Sequence, residues 1–261
     1  MMNSETIEEQ YNSIISESNL AWLKLDTNFP HEKIYKEILG LESNFYDHTQ
    51  TGTDTNQHNY AEGIKGWKSI GLHGMSTSET SQSFRYGFDD EDKAPYKWTS
   101  ASLKCPETVK AIKKILPSNK YYRIKINKME PGGKIPPHND SNIPGLGISA
   151  HTSPKHVTYV TIPIYWPKEV YFYLPLGNSI PIKNGEPLLL DYSCDHEVIS
   201  ESSENRYFML VSADFRDQLD WKKLVVKSYS KNKDFSPVRP KIKKSNKLVH
   251  FLKRIYRRIL K

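Results

Sequence analysis

Four residues carry the clearest chemistry in this sequence: His138, Asp140, His196 and Arg206. Two imidazoles and one carboxylate are the ligand set of a non-haem Fe(II) oxygenase, a facial triad that leaves positions open for a co-substrate and O2. An arginine ten residues after His196 suits a carboxylate co-substrate, because its planar guanidinium forms two parallel hydrogen bonds with a carboxylate. If the four residues converge in space, the sequence predicts an oxygenase site.

The triad alone is a weak pattern. Nine histidines and 30 acidic residues among 261 give about one His-x-Asp/Glu by chance, and this chain has one, at 138–140. A lone histidine is more often a packed or surface residue than a metal ligand. Support must therefore come from the elements that position the four residues.

Short strands dominate the second half of the chain. A half-buried strand is predicted where apolar and polar residues alternate, at Tyr122, Arg123, Ile124, Lys125, Ile126 and Asn127. Further strands are predicted at 157–165, 170–174, 187–192, 196–200 and 206–214. Earlier in the chain, the pattern predicts strands at 20–25 and 67–72, a turn followed by a helix across 26–41, and a helix at 106–116. The predicted fold is mainly β with flanking helices and a double-stranded β-helix core, the jelly roll that includes the cupins.

The spacing of the four residues fits such a core. His138 and Asp140 lie two residues apart, so that both point to one face of an extended segment. His196 opens a late strand 58 residues downstream, which leaves room for the intervening strands of a jelly roll. Arg206 opens the following strand, and a tight connection would place it beside the strand that begins at His196.

Composition favours a cytoplasmic protein. The apolar runs are too short to cross a membrane, and the acidic, polar N-terminus does not look like a secretory signal. Cys105 and Cys194 lie far apart without CxxC spacing, which argues against a zinc knuckle and against a disulfide scaffold.

The net charge of +7 divides unevenly along the chain. Residues 221–261 hold 15 Lys and Arg against one acidic residue, Asp234, whereas residues 1–220 carry 22 basic and 29 acidic residues and a net charge of −7. A nucleic-acid partner is therefore not expected at the predicted site. We expect a polar N-terminal extension at 1–19, a jelly-roll domain with N-terminal helices at 20–220, and a basic C-terminal tail at 221–261.

The end of the tail has the pattern of an amphipathic helix. Between Lys247 and Lys261, apolar residues fall on one helical stripe: Leu248, Leu252, Ile255 and Ile259. Basic residues lie opposite: Lys253, Arg254, Arg257 and Arg258. Such a helix can bind an anionic membrane surface or an acidic partner. The alternative is that the stripe packs on the body and leaves a solvated basic face.

Three blocks of sequence resemble the aspartyl/asparaginyl β-hydroxylase-like branch of the Fe(II)/2-oxoglutarate dioxygenases, which includes cis-type proline hydroxylases. The blocks are Met129-Glu-Pro-Gly-Gly-Lys-Ile-Pro-Pro-His138-Asn-Asp140, Thr158-Tyr-Val-Thr-Ile-Pro-Ile164, and Asn184-Gly-Glu-Pro-Leu-Leu-Leu-Asp191 followed by Asp195-His196-Glu-Val198 and Asn205-Arg206. They cover residues 120–215 in the order that the family shows.

The resemblance implies a role for each of the four residues. His138, Asp140 and His196 would bind Fe(II), and Arg206 would bind the far carboxylate of 2-oxoglutarate. The family's central strand usually carries Arg-x-His where this chain has Tyr159-Val160-Thr161, so Thr161 is a further candidate for one hydrogen bond to the co-substrate.

The implied activity is hydroxylation of a C–H bond in an amino acid or a peptidyl side chain, with O2 as oxidant and release of succinate and CO2. The partner would then be a small-molecule or peptide substrate. Two other functions stay open: a cupin-like metal-binding module without turnover, and an anionic-membrane or nucleic-acid binder that acts through the basic tail.

Overall fold

The computed structural model describes residues 6–17, 20–47, 65–78, 87–88, 91–138, 157–173, 180–190 and 196–235. Its helices are α1 Ile7–Glu17, α2 His31–Leu39, α3 Pro106–Ile115 and α4 Leu219–Asn232. Its strands are β1 Trp22–Lys24, β2 Tyr46–Asp47, β3 Lys65–Gly74, β4 Lys97–Trp98, β5 Lys120–His138, β6 Val157–Tyr165, β7 Val170–Tyr173, β8 Leu188–Leu190, β9 His196–Ser200 and β10 Arg206–Asp214.

The strands form an antiparallel network that curls on itself. One layer, the major sheet, has the order β1-β8-β6-β10-β5-β3-β2, and β4 pairs with β3. The second layer, the minor sheet, consists of the C-terminal half of β5 followed by β9 and β7. Two layers that share a strand around a corner are the arrangement of a jelly roll, so the predicted fold class is confirmed.

The long strand β5 makes the corner between the layers. Its first part pairs with β10 as far as Met129, and its last part pairs with β9 from Lys134 onward. Between them lies Pro131-Gly132-Gly133, where Gly132 has a φ of 66°. A Cβ on Gly133 would lie 2.8 Å from the Glu130 carbonyl oxygen, so only glycine fits this bend. These residues thus form a bend within one strand.

Two apolar cores lie on the two faces of the major sheet. The outer core packs the helices against the sheet and contains Ile34, Ile112, Ile126, Met209 and Trp221. The inner core fills the space between the sheets with residues from both layers: Trp22, Met129, Ile135, Phe172, Leu188, Leu190 and Val198. The two layers therefore pack face to face around a common interior.

The alternating segment at 122–127 is not half-buried as predicted. Ile124 and Ile126 face the outer core, and Arg123, Lys125 and Asn127 are buried on the opposite face. The prediction is wrong because this polar face forms the inner wall of the jelly roll instead of facing water.

The C-terminal helix α4 begins within the body and continues past residue 220. Its Trp221 stacks on Phe215 with 4.4 Å between ring centroids and donates a hydrogen bond from Nε1 to the Tyr11 hydroxyl oxygen. Residues 221–232 therefore pack with α1 on the body. The amphipathic helix predicted at 247–261 lies outside the described residues.

Candidate active site

The two predicted histidine ligands are cross-strand neighbours. In the pairing of β5 with β9, His138 lies opposite His196, after an irregularity that begins at Ile135. Pro136 and Pro137 explain the irregularity, because proline has no N–H to donate to the ladder. Residues 58 positions apart in sequence are thus brought side by side on the minor sheet. The side chain of His138 and the whole of Asp140 lie outside what the structure describes.

The His196 imidazole is held in a buried position. It stacks on Phe172 of β7, with ring centroids 5.5 Å apart and ring planes within 1° of each other. Phe172 is itself fixed in the inner core opposite Val198. Because stacking fixes the plane of the ring, the imidazole cannot turn freely, which is what a metal ligand requires.

Arg206 is a cation placed in the interior. It is 1% exposed and opens β10 opposite Met129. Its guanidinium carbon lies 4.4 Å from the centre of the Trp166 ring and 4.5 Å from that of Phe208. Aromatic faces attract a guanidinium, most strongly where water is excluded. The two rings therefore hold the planar fork in a dry environment that favours bidentate binding of a carboxylate.

The Trp166 ring is itself anchored. Its Nε1 donates a hydrogen bond of 2.8 Å to the Val170 carbonyl oxygen, and its backbone N–H donates to Asn184 Oδ1 at 2.8 Å. The ring that faces the Arg206 guanidinium is thus itself held in place by two hydrogen bonds.

Ser200 is a polar residue of the interior that the sequence analysis did not single out. It follows His196 and Val198 on the same face of β9 and is 3% exposed. Its Oγ has no hydrogen-bond partner within the described part of the chain. Ser200 lies opposite Val170, whose carbonyl oxygen holds Trp166, so that its hydroxyl is near the end of the interior where Arg206 lies. The alternation from His196 along β9 would have identified it.

Thr161 is buried on β6, opposite Leu210 of β10 and Leu188 of β8. Leu210 is four residues from Arg206, which corresponds to about 14 Å along a strand. Thr161 is therefore on the inner wall but distant from Arg206.

The strand registers place Arg206 and His196 at different depths. The connection 201–205 joins Ser200, at the end of β9, to Arg206, at the start of β10. His196 is four residues from one end of this connection, and Leu210 is four residues from the other. Both positions are thus further from this connection than Ser200 and Arg206 are. The interior therefore has Arg206 at its base, next to the connection, and the histidine pair further along β9.

These residues fit an iron centre with a dicarboxylate co-substrate. The paired histidines offer nitrogen donors, and a buried arginine between aromatic rings offers a carboxylate site at the base. Among the described side chains there is no cluster of three or more His, Cys, Asp or Glu. That is expected, since two members of the predicted triad lie outside them. The described helices include none that is long and apolar enough to cross a membrane.

The fold and the site define a class of protein, the oxygenases with a double-stranded β-helix core. Within that class, the chain belongs to the aspartyl/asparaginyl β-hydroxylase family, whose profile matches residues 28–216. As a member it is an oxidoreductase, an Fe(II)- and 2-oxoglutarate-dependent hydroxylase that uses O2. No protein of curated function matches the sequence.

Many solved structures are similar to this one at low sequence identity. A Trichoplax adhaerens prolyl hydroxylase in complex with a hypoxia-inducible-factor peptide fragment is 14% identical, with a TM-score of 0.44 over 84% of this chain and 93% of that chain. A Pseudomonas putida prolyl-4-hydroxylase is 10% identical, with a TM-score of 0.41 over 80% and 98% of the two chains. A cupin domain from Bordetella pertussis is 17% identical, with a TM-score of 0.26 over 36% and 81%. Scores below 0.5 add nothing to the assignment, which rests on the family match.

Proposed function

We propose that this hydroxylase binds Fe(II) through His138, Asp140 and His196 and binds the far carboxylate of 2-oxoglutarate through Arg206. The observation that carries the proposal is the register of β5 and β9, in which His138 lies opposite His196. The burial of Arg206 between two aromatic rings, at the base of the same interior, supports the co-substrate assignment.

The residues of the chain prepare this site for two ligands. Phe172 keeps the His196 ring in one plane, so that a nitrogen lone pair can keep a constant direction. Trp166 and Phe208 exclude water from the Arg206 guanidinium, which strengthens its hydrogen bonds to a carboxylate. We assign Ser200 Oγ as a second donor to that carboxylate, since it is buried without a hydrogen-bond partner among the described residues and ends the strand from which the connection 201–205 leads to Arg206. Thr161 remains a predicted contact on the wall above.

Bound Fe(II) would supply the activation of O2 that is coupled to decarboxylation of 2-oxoglutarate to succinate and CO2. The chain's own contribution is orientation: it fixes the co-substrate between Arg206 and the metal ligands and leaves space beside them. The substrate that fits the family is an amino acid or a peptidyl side chain, as a small molecule or within a peptide. A cytoplasmic location and an anionic partner for the basic tail remain predictions from the sequence.

Succinate formation tests the proposal. The purified protein is incubated with Fe(II), 2-oxoglutarate and O2 in the presence of a panel of free amino acids and peptides. We expect succinate from the wild type, and a loss of more than about 100-fold in His196→Ala, because changes to outer-shell residues alone cost 10–100-fold. The matched control is His31→Ala, a histidine at the start of α2, which should retain the wild-type rate.

Folded wild-type protein that consumes no 2-oxoglutarate with any member of the panel would contradict the proposal. It would favour a metal-binding module without turnover. Equal rates of succinate formation in His196→Ala and the wild type would show that His196 is not a metal ligand.

A further inference from the structure

The backbone of Arg206 lies at an irregular end of the major sheet. Arg206 is the first residue of β10 and pairs with Met129 of β5. The ladder between β10 and β6 begins one residue later, at Tyr207, and shifts register between Tyr207 and Phe208, opposite Pro163. Proline has no N–H to donate to a ladder. The described strands therefore hold the backbone of Arg206 mainly from the β5 side, and side chains must supply the remaining support.

The Glu42 carboxylate is bonded to both chain neighbours of Arg206. Glu42 opens the short 3-10 helix Glu42–Asn44, which follows α2. Its Oε2 accepts a hydrogen bond of 2.7 Å from the Tyr207 hydroxyl, and its Oε1 accepts a longer one, of 3.4 Å, from Asn205 Nδ2. Asn205 Nδ2 also donates to the Tyr207 hydroxyl oxygen at 3.2 Å. One carboxylate thus holds the residues immediately before and after Arg206.

These contacts lie on the outer side of the major sheet, behind the Arg206 guanidinium. Neighbouring residues of a strand point to opposite faces, so Tyr207 belongs to the outer core while the guanidinium packs on Trp166 beside the inner core. Tyr207 is 1% exposed, and burial together with the Glu42 carboxylate raises the pKa of its hydroxyl. The hydroxyl therefore keeps its proton at neutral pH and stays a donor to Glu42. An anchored ring on one face fixes the backbone from which the guanidinium projects on the other.

Lys128 balances the charge of Glu42. It is 7% exposed, lies opposite Tyr207 on β5, and donates a hydrogen bond from Nζ to Glu42 Oε1. A partly buried carboxylate is favourable only when it is paired and hydrogen-bonded, and Glu42 meets both conditions. Its three donors come from β5, from β10 and from the connection 201–205. Glu42 therefore ties together the three segments that meet at the base of the interior, where Arg206 lies.

We propose that Glu42 is a positioning residue for co-substrate binding. By holding the two neighbours of Arg206, it aims the guanidinium so that it binds the carboxylate of 2-oxoglutarate through two parallel hydrogen bonds. Such a bidentate pair depends on direction as well as charge, because both N–H groups must point at their oxygens together. The proposal rests on the proposed function, in which Arg206 binds that carboxylate, and it assigns Glu42 no contact with either ligand.

A double-mutant cycle tests whether Glu42 acts through Arg206. The dissociation constants of Fe(II) and of 2-oxoglutarate are measured without O2 for the wild type, Glu42→Ala, Arg206→Lys and the variant with both changes. Tyr207→Phe, alone and with Arg206→Lys, gives a second cycle that removes only a hydroxyl and serves if Glu42→Ala does not fold.

The controls match both kinds of change at places distant from the site. Glu37→Ala removes the carboxylate that accepts hydrogen bonds at the start of α3. Tyr121→Phe removes a hydroxyl that donates to the Leu116 carbonyl oxygen at 2.8 Å. Circular dichroism and urea unfolding establish that each variant is folded under the conditions of the binding experiment.

We expect Glu42→Ala to weaken 2-oxoglutarate binding by about tenfold, because a misaimed guanidinium keeps its charge but loses one of two hydrogen bonds. Tyr207→Phe should weaken it in the same direction. Fe(II) affinity should be unchanged in both variants. In the Arg206→Lys background, Glu42→Ala should have little further effect on 2-oxoglutarate, since no bidentate pair is left to misalign. Both controls should bind 2-oxoglutarate as the wild type does.

Three outcomes would overturn the proposal while leaving the proposed function intact. The first is an unchanged 2-oxoglutarate affinity in folded Glu42→Ala and Tyr207→Phe. The second is an equal loss from Glu42→Ala with arginine and with lysine at position 206, which would show that Glu42 acts independently of Arg206. The third is an equal loss in Glu37→Ala, which would attribute the effect to stability alone. If Arg206→Lys itself leaves 2-oxoglutarate affinity unchanged, the co-substrate assignment in the proposed function is refuted, and the role of Glu42 with it.

Discussion

Arg206 is the residue whose surroundings are most specific to its proposed role. A guanidinium removed from water is unfavourable unless its charge is compensated, and here two aromatic faces hold it at 4.4 and 4.5 Å. Lysine would keep the charge at this position but would lose both the stacking and the planar fork. The difference in 2-oxoglutarate affinity between arginine and lysine at position 206 therefore measures what the stacking and the planar fork contribute.

We expect Arg206→Lys to weaken 2-oxoglutarate binding by about 10–100-fold, because one bidentate pair becomes a single point contact. Fe(II) binding should be retained, since Arg206 is not one of the proposed metal ligands. Equilibrium dialysis of each ligand measures both quantities. Arg216→Lys is the control, an exposed arginine just beyond β10 that pairs with Asp214. An unchanged affinity for 2-oxoglutarate in folded Arg206→Lys would assign the carboxylate to another residue.

At this scale the sequence predicted the chemical groups but not their surroundings. The spacing of His138, His196 and Arg206 and the family resemblance identified all three as candidates. Lys125 and Asn127 were not identified as interior residues, because alternation along a strand defines two faces without indicating which face is dry. The side chains that hold the candidates, such as Trp166, come from distant parts of the chain and have no local sequence pattern.

The helices stabilise the major sheet from its outer side and are tied to each other by polar contacts. The Glu37 carboxylate of α2 accepts hydrogen bonds from the backbone N–H groups of Glu107 and Thr108, at 2.8 and 2.9 Å. These are unsatisfied donors at the start of α3, so that a side chain of one helix caps another. The cap lies 70 residues away in sequence, which is why it could not be predicted from the α3 segment.

Helix α4 was missed for a different reason. Four lysines, at 222, 223, 227 and 231, dominate its charge, and the segment was interpreted as part of a basic tail. The structure buries Trp221, Val225 and Ser228 on the opposite side. Ser228 Oγ accepts a hydrogen bond of 2.8 Å from the Asp26 backbone N–H, which joins α4 to the end of β1.

The same junction predicts a pH dependence of stability. Hydrogen bonds from Lys227, at 2.8 Å, and Lys231, at 2.7 Å, lower the pKa of Asp26 from 3.8 to about 2. A carboxylate whose pKa is lowered in the folded state stabilises the protein at pH values above its ordinary pKa. This stabilisation is lost as the pH falls from about 4 through about 2. Both lysines are mostly exposed, so the contribution is below about 1 kcal/mol.

We therefore expect Asp26→Asn to lower the free energy of unfolding at pH 6 and to have a smaller effect at pH 3. Urea unfolding of both proteins at the two pH values measures this difference. Asp220→Asn is the control, because that carboxylate lies 3.9 Å from Lys223 and is largely exposed. A difference between Asp26→Asn and the wild type that is equal or larger at pH 3 would contradict the assignment.

For the whole molecule, the fold class was accessible from the sequence because the strands are short and bounded by turn residues. The strands predicted at 157–165, 196–200 and 206–214 have those bounds in the structure. The pairing of strands and the corner within β5 were not accessible, since they depend on contacts far apart in sequence. The shape of the interior depends on this strand pairing. The sequence could therefore predict which residues form the site but not how they are arranged in space.

The net charge of the two parts of the chain does not reveal the charges that are buried in the interior. The split between an acidic body and a basic tail is visible in the sequence, but it conceals three buried cations on β5: Arg123, Lys125 and Lys128. Average charge therefore describes the surface and not the site. The tail beyond residue 235 lies outside the described residues, and its binding to an anionic surface stays a prediction.

The central claim is that one interior binds Fe(II) and 2-oxoglutarate together, with His196 at the metal and Arg206 at the base. Visible absorption without O2 tests it most directly, because 2-oxoglutarate bound to Fe(II) gives a weak charge-transfer band. We predict a saturable band in the wild type only when both are present. It should be absent in His196→Ala and should require higher 2-oxoglutarate concentrations in Arg206→Lys. A folded wild type without the band, or an unchanged titration in both variants, would contradict the claim.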